Sequence, residues 1–191
     1  MIIGIMAPAV WVLGSTLFDR VATTGLVVVY AVVLVGSWYC IKQARYIKAA
    51  GLAGAVLDIA MIGALPVIWY TALGGSELPL GVTLKTSVTL MAVLFISLNT
   101  LAIRPLYPLL VTAGALLVHL ILLAGAIADR DSIFTESYLA AYTTEQISTG
   151  RVTTQILVAF LVGTILTLLT MRARQMIIES AELQKRNSQL G

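Results

Sequence analysis

Long apolar stretches, nearly free of charge, leave this chain few folds. A bilayer-crossing helix needs about 20 such residues. Six stretches qualify, running roughly from Ile2 to Phe18, Thr23 to Ile41, Leu52 to Leu73, Gly81 to Ile103, Leu106 to Ala128 and Val152 to Met171. The first is the weakest, being short and carrying Pro8. Only 11% of the residues are charged, against about 25% in a soluble domain. So low a density cannot cover a water-exposed surface. The expectation is an all-α integral membrane bundle of six transmembrane helices, with the last continuing into a cytoplasmic coiled-coil stalk. Residues 1–171 would form the membrane domain and residues 172–191 the stalk.

Orientation follows from the basic residues. With a cytoplasmic N-terminus, Lys42, Arg45, Lys48, Arg104, Arg172, Arg174, Lys185 and Arg186 lie inside. Arg20, Lys85, Arg130 and Arg151 lie outside. The inner excess favours this topology over its inverse, with both termini in the cytoplasm and the bundle in a bacterial cytoplasmic membrane. Trp38 and Tyr39 end the second stretch, and Trp69 and Tyr70 lie near the outer end of the third. Such rings prefer the headgroup level.

The stalk rests on a count of seven. Val162, Leu169, Met176, Leu183 and Leu190 share one position, while Ala159, Leu166, Ala173, Ser180 and Asn187 share another, four residues further on. These are the d and a positions of a heptad. Neither Gly nor Pro interrupts between Arg172 and Leu190, so one helix should run from membrane into solvent. Ala159, Gly163 and Thr167 are four apart, a spacing of small residues that lets two helices approach closely. Asn187 at an a position would favour a parallel pair in fixed register. The expected assembly is a homodimer in membrane lipid. The alternative is a solvated tail after the last span.

Few polar residues lie at membrane depth. Asp58 sits about six residues, or roughly 9 Å, above the inner boundary of its span. A carboxylate there costs roughly 2.5 to 3.5 kcal/mol on insertion scales. Asn99 lies at similar depth, and Arg104 can reach back along its helix. A structural hydrogen bond and a relay role both fit Asp58. His119 lies near the middle of the fifth span, roughly 10 Å from the depth of Asp58 by helical rise. That argues against a direct pair and for a buried histidine bonded to a neighbouring helix; a ligand contact or proton sensor is the sharper option.

Outside, Lys85 could meet Glu77. Between Asp129 and Arg151, Phe134, Tyr138, Ala141 and Tyr142 recur at spacings of three and four. That spacing predicts a short amphipathic helix on the outer surface. With Trp69, Tyr70 and Lys85 it could roof a pocket for a lipid or small hydrophobic ligand.

A single cysteine, Cys40, excludes an internal disulfide, and a single histidine excludes a haem held by two histidines of one chain. No phosphate-binding glycine loop, activated nucleophile or metal-ligand cluster appears. No catalytic residue, metal or nucleic-acid partner is therefore expected within these residues.

The stretch Ala181-Glu182-Leu183-Gln184-Lys185-Arg186-Asn187-Ser188-Gln189-Leu190-Gly191 resembles the helix before the catalytic domain in bacterial class III adenylate/guanylate cyclases. The resemblance implies a six-span membrane domain that anchors and regulates a homodimeric enzyme making cyclic AMP. ATP and Mg would then belong to a catalytic domain beyond Gly191, and this part would need no cofactor. A histidine kinase or diguanylate cyclase could follow a similar stalk. A small proton-coupled transporter, using Asp58, Asn99 and His119, is the third option.

Overall fold

The computed structural model describes residues 17–43 and 46–190. Six α-helices dominate: α1 (Leu17–Lys42), α2 (Ile47–Leu73), α3 (Val88–Thr100), α4 (Leu106–Ala128), α5 (Tyr138–Thr143) and α6 (Thr149–Leu190). Two 3-10 turns, Gly75–Glu77 and Leu80–Lys85, separate α2 from α3. Two strands of two residues, β1 (Phe134–Thr135) and β2 (Ile147–Ser148), pair in parallel. Among the described residues four helices, α1, α2, α4 and α6, are long and apolar enough to cross a membrane. The expected first span, Ile2 to Phe18, lies outside the described residues except for Leu17 and Phe18, which open α1. Arg45 and Gly191 also lie outside them.

The expected fourth span, Gly81 to Ile103, is not one α-helix. It resolves into the 3-10 turn Leu80–Lys85, a break at Thr86–Ser87, and the 13 residues of α3. Threonine chemistry explains the break. Thr83 Oγ1 donates to the Leu80 carbonyl at 2.7 Å, and Thr86 Oγ1 to the Thr83 carbonyl at 2.6 Å. Hydroxyls that bond their own turn compete with α-helical pairing. Pro79 starts the turn with a fixed φ and no N–H to give.

The helices alternate in direction. Ile59 on α2 faces Gly114 on α4, and Gly63 faces Val118 further along both, so these two run together. Asn99 meets Asp58 and Thr89 meets His119, so α3 runs against them. The turns are short, as antiparallel neighbours require. Gly74 and Gly75 make the turn after α2 with φ of 141° and 58°, a region open to glycine at little cost.

α4 lies at the centre, against α2, α3 and α6, whereas α1 packs mainly on α2. The core joins Ala55 and Ile62 of α2, Val88, Ala92 and Ile96 of α3, and Val111 and Ala115 of α4. A smaller cluster gathers Leu84, Ala126, Ile147 and Val152. Tyr30 ties α1 to α3 through the Phe95 ring, centroid to centroid 6.2 Å.

Candidate functional site

Two regions carry the polar residues singled out by the sequence, and a third carries the heptad. The first lies at the end of the bundle bearing Lys48 and Arg104. There α1, α2, α3 and the start of α4 surround an open cavity of about 840 Å³. Helical rise places Asp58 about seven residues from Gly51, roughly 10 Å inward. Asp58 lines this cavity yet is only 4% exposed. Its Oδ2 accepts a hydrogen bond from Asn99 Nδ2 at 2.6 Å. Asn99 Nδ2 also donates to the Phe95 carbonyl at 2.8 Å. Because a backbone carbonyl only accepts, the amide nitrogen must face it, and both N–H groups are then used. The Tyr30 hydroxyl faces the same carboxylate. Asp58 Oδ1 is buried and has no hydrogen-bond partner.

Small residues shape the cavity. A Cβ on Gly54 would meet nothing within 4 Å, so this wall is open space. A Cβ on Gly51 would come within 2.5 Å of the Tyr107 ring, so Tyr107 uses that glycine to pack against α2. The Tyr107 hydroxyl donates to the Lys48 carbonyl at 3.3 Å. Arg104 lines the cavity too, but Asn99 holds the carboxylate.

His119 is fully buried in α4. Its Nδ1 lies 2.8 Å from the Ala115 carbonyl and its Nε2 3.0 Å from Thr89 Oγ1. The carbonyl can only accept, so Nδ1 carries a proton. In the neutral ring Nε2 then accepts from the Thr89 hydroxyl. The histidine thus clasps α4 to α3, as expected of a ring bonded to a neighbouring helix, and it does not contact Asp58.

The end bearing Lys85 is built differently from the sequence expectation. Lys85 does not turn to Glu77. Its Nζ donates to the carbonyls of Ala141 and Thr144, at 2.8 and 2.7 Å, at the end of α5. Short of hydrogen-bond partners beyond its last turn, a helix C-terminus favours such a cation. The amphipathic helix expected from Phe134 to Tyr142 shrinks to the six residues of α5, with Phe134 in β1. Ser137 caps it, its side chain accepting from Ala140 N. Tyr138 and Tyr142 are exposed, and Arg151 lies over the Tyr142 ring at 5.6 Å. Trp69 and Tyr70 are half-buried, the latter donating to the Leu78 carbonyl at 2.7 Å. Asp129 pins the loop by accepting from Leu80 N and Ser132 Oγ, at 2.7 and 2.8 Å. These two bonds, the Leu80 amide first, hold the Asp129 carboxyl below its usual range. The loop is therefore a fastened cap, and the larger cavity lies at the opposite end of the bundle.

The heptad divides at Leu169. Before it, the small-residue stripe faces the chain's own bundle. Ala159 is fully buried, and a Cβ on Gly163 would collide with the Thr112 side chain of α4. Val162 and Leu166 are half-buried, and Thr167 is buried. The stripe expected to meet a second chain inside the membrane lies here against α4 of its own chain. From Leu169 onward the pattern is uncovered. Leu169, Met176 and Leu183 are 58%, 65% and 61% exposed, and Ala173, Ser180 and Asn187 are exposed as well. The Leu190 side chain lies outside what is described.

Tyr30 escaped the sequence reading. A phenol in mid-span, away from the interface where tyrosines gather, was the available signal. Among the described residues no group of three His, Cys, Asp or Glu side chains could hold a metal ion. Comparison with protein families, with characterised proteins and with solved structures gave no match.

Proposed function

We propose that this chain is the membrane anchor and sensor region of a homodimeric signalling enzyme, passing the state of the bundle to an output domain through α6. Adenylate cyclase is the output to which residues 181–191 point by resemblance. The supporting observation is α6 itself: 42 residues in one helix, about 63 Å at 1.5 Å per residue. Roughly half of that length suffices for the hydrocarbon core. Beyond it, Met176 and Leu183 stand exposed in heptad register with Ala173 and Ser180. Apolar side chains on a lone rod gain from a partner, and a second copy offers the same register.

Pairing begins at Leu169 in this reading, where the chain's own helices stop covering the stripe. The bundle then acts on a dimer contact at its base. Such control requires that a ligand or membrane state favour one stalk arrangement over the other.

In the protein with its output domain attached, Leu183→Glu should cut enzymatic activity about tenfold or more, because a charge at a d position opposes pairing. Membrane insertion should be unchanged. Cysteine at Ser180 or Leu183, in a Cys40→Ser background, should crosslink between chains in native membranes. Unchanged activity with no crosslink would remove the stalk from the mechanism.

A transporter reading draws on Asp58 at its cavity. Proton flux into liposomes that is lost in Asp58→Asn would favour it over the signalling reading. Without such flux the cavity remains a place where a ligand can bias the bundle.

A further inference from the structure

The cavity holds a chemical asymmetry at Asp58. One oxygen of Asp58 is matched by Asn99, while Oδ1 is buried and has no hydrogen-bond partner, although the Tyr30 hydroxyl faces the same carboxylate. Asn99 has no N–H left to offer, because Phe95 takes its second. An acceptor of this kind in apolar surroundings is costly unless a donor arrives, and a charged donor makes the stronger bond. Around it the walls are mostly hydrocarbon, among them Leu34, Ile47 and Leu98, and the space beside Gly54 is free. The volume lies within the range of small-molecule sites, roughly 300 to 1,000 Å³.

We propose that this cavity binds a lipophilic monoamine, with its ammonium on Asp58 Oδ1 and its hydrocarbon part along the walls formed by α1, α2 and α3. The chemistry of the site selects this class. A divalent cation would find one carboxylate where it needs several oxygen ligands. An anion would be repelled from the deep end. Arg104 lines the cavity five residues after Asn99 and disfavours a second cation, which sets a monoamine apart from a diamine. The inference is independent of stalk pairing: a monomeric chain would carry the same cavity.

Binding of decylamine to the full chain in lipid nanodiscs, by titration calorimetry against protein-free discs, tests it. The expected result is one saturable site per chain, with decanol at least about tenfold weaker because it lacks the charge-assisted bond, and 1,10-diaminodecane weaker because Arg104 opposes its second ammonium. Asp58→Asn should weaken decylamine binding by a similar factor. A Cβ at Gly54 would meet nothing within 4 Å, so Gly54→Leu should fill the cavity and abolish the site. That second variant carries the test should Asp58→Asn fail to fold, as judged by helical circular dichroism. Partitioning equal to that of empty discs would overturn the proposal. So would decanol binding as tightly as decylamine, or parent-like binding by folded Gly54→Leu.

Discussion

At the scale of single residues, two pairs of polar side chains in the apolar helices join neighbouring helices. Thr89 and His119 join α3 to α4, and Asn99 and Asp58 join α3 to α2. The histidine pair yields a prediction. Thr89→Val removes the hydroxyl at Nε2 and should cost about 0.5 to 2 kcal/mol, the range for a hydrogen bond between helices in a membrane protein. Combined with His119→Leu, the loss should fall short of the sum of the two single losses, because both remove the same bond. Unfolding in detergent, followed by circular dichroism, measures all three. Strict additivity would mean that the bond contributes nothing. Asp58 and Asn99 were legible as candidates because a charge inside an apolar run stands out, and their matched depth follows from counting residues. Their contact was not legible, since depth does not say which faces of two helices meet.

At the scale of elements, apolar length located α2, α4 and α6 to within a few residues. It failed between Pro79 and Thr100. Hydropathy counts residues and does not see threonine hydroxyls bonding back to their own turn, so a 3-10 turn plus a 13-residue helix reads as one span. The outer loop misled in a related way. Spacings of three and four among Phe134, Tyr138 and Tyr142 suggested a helix, but tertiary bonds from Lys85, Asp129 and Ser132 decide its path. The Asp129 attachment should respond to acid. Its carboxyl is held low by donors present only in the folded loop, so the stabilisation is complete above the unfolded value of about 3.9 and is lost as pH falls through the lower folded value. Hydrogen exchange at the Leu80 amide, corrected for intrinsic rate, should therefore stay slow from neutral pH down to about 4 and quicken only below it. In Asp129→Asn the same amide should exchange faster at neutral pH. Equal protection in both proteins would mean that the carboxylate does not hold the loop.

For the whole molecule, the distribution of basic residues is the remaining guide to orientation. Lys42, Lys48 and Arg104 gather at the cavity end, and Arg172 and Arg174 continue along α6 just beyond the apolar part of that helix. Such an excess favours a cytoplasmic side, and we propose that orientation here. Cys40, the single cysteine, is partly exposed near the end of α1 at that side. A membrane-impermeant maleimide should label it in inside-out vesicles and leave it untouched in intact cells. Labelling from outside would invert the topology and put α6 on the wrong side for a cytoplasmic output.

The absence of any glycine or proline between Arg172 and Gln189 has a mechanical meaning. A rod bonded at every turn has no swivel. Torsion imposed where it leaves the bilayer reaches its tip with little loss, whereas a hinged tail would dissipate it. α4 meets α6 closely where Thr112 lies against Gly163, so a shift of α4 would act directly on the rod.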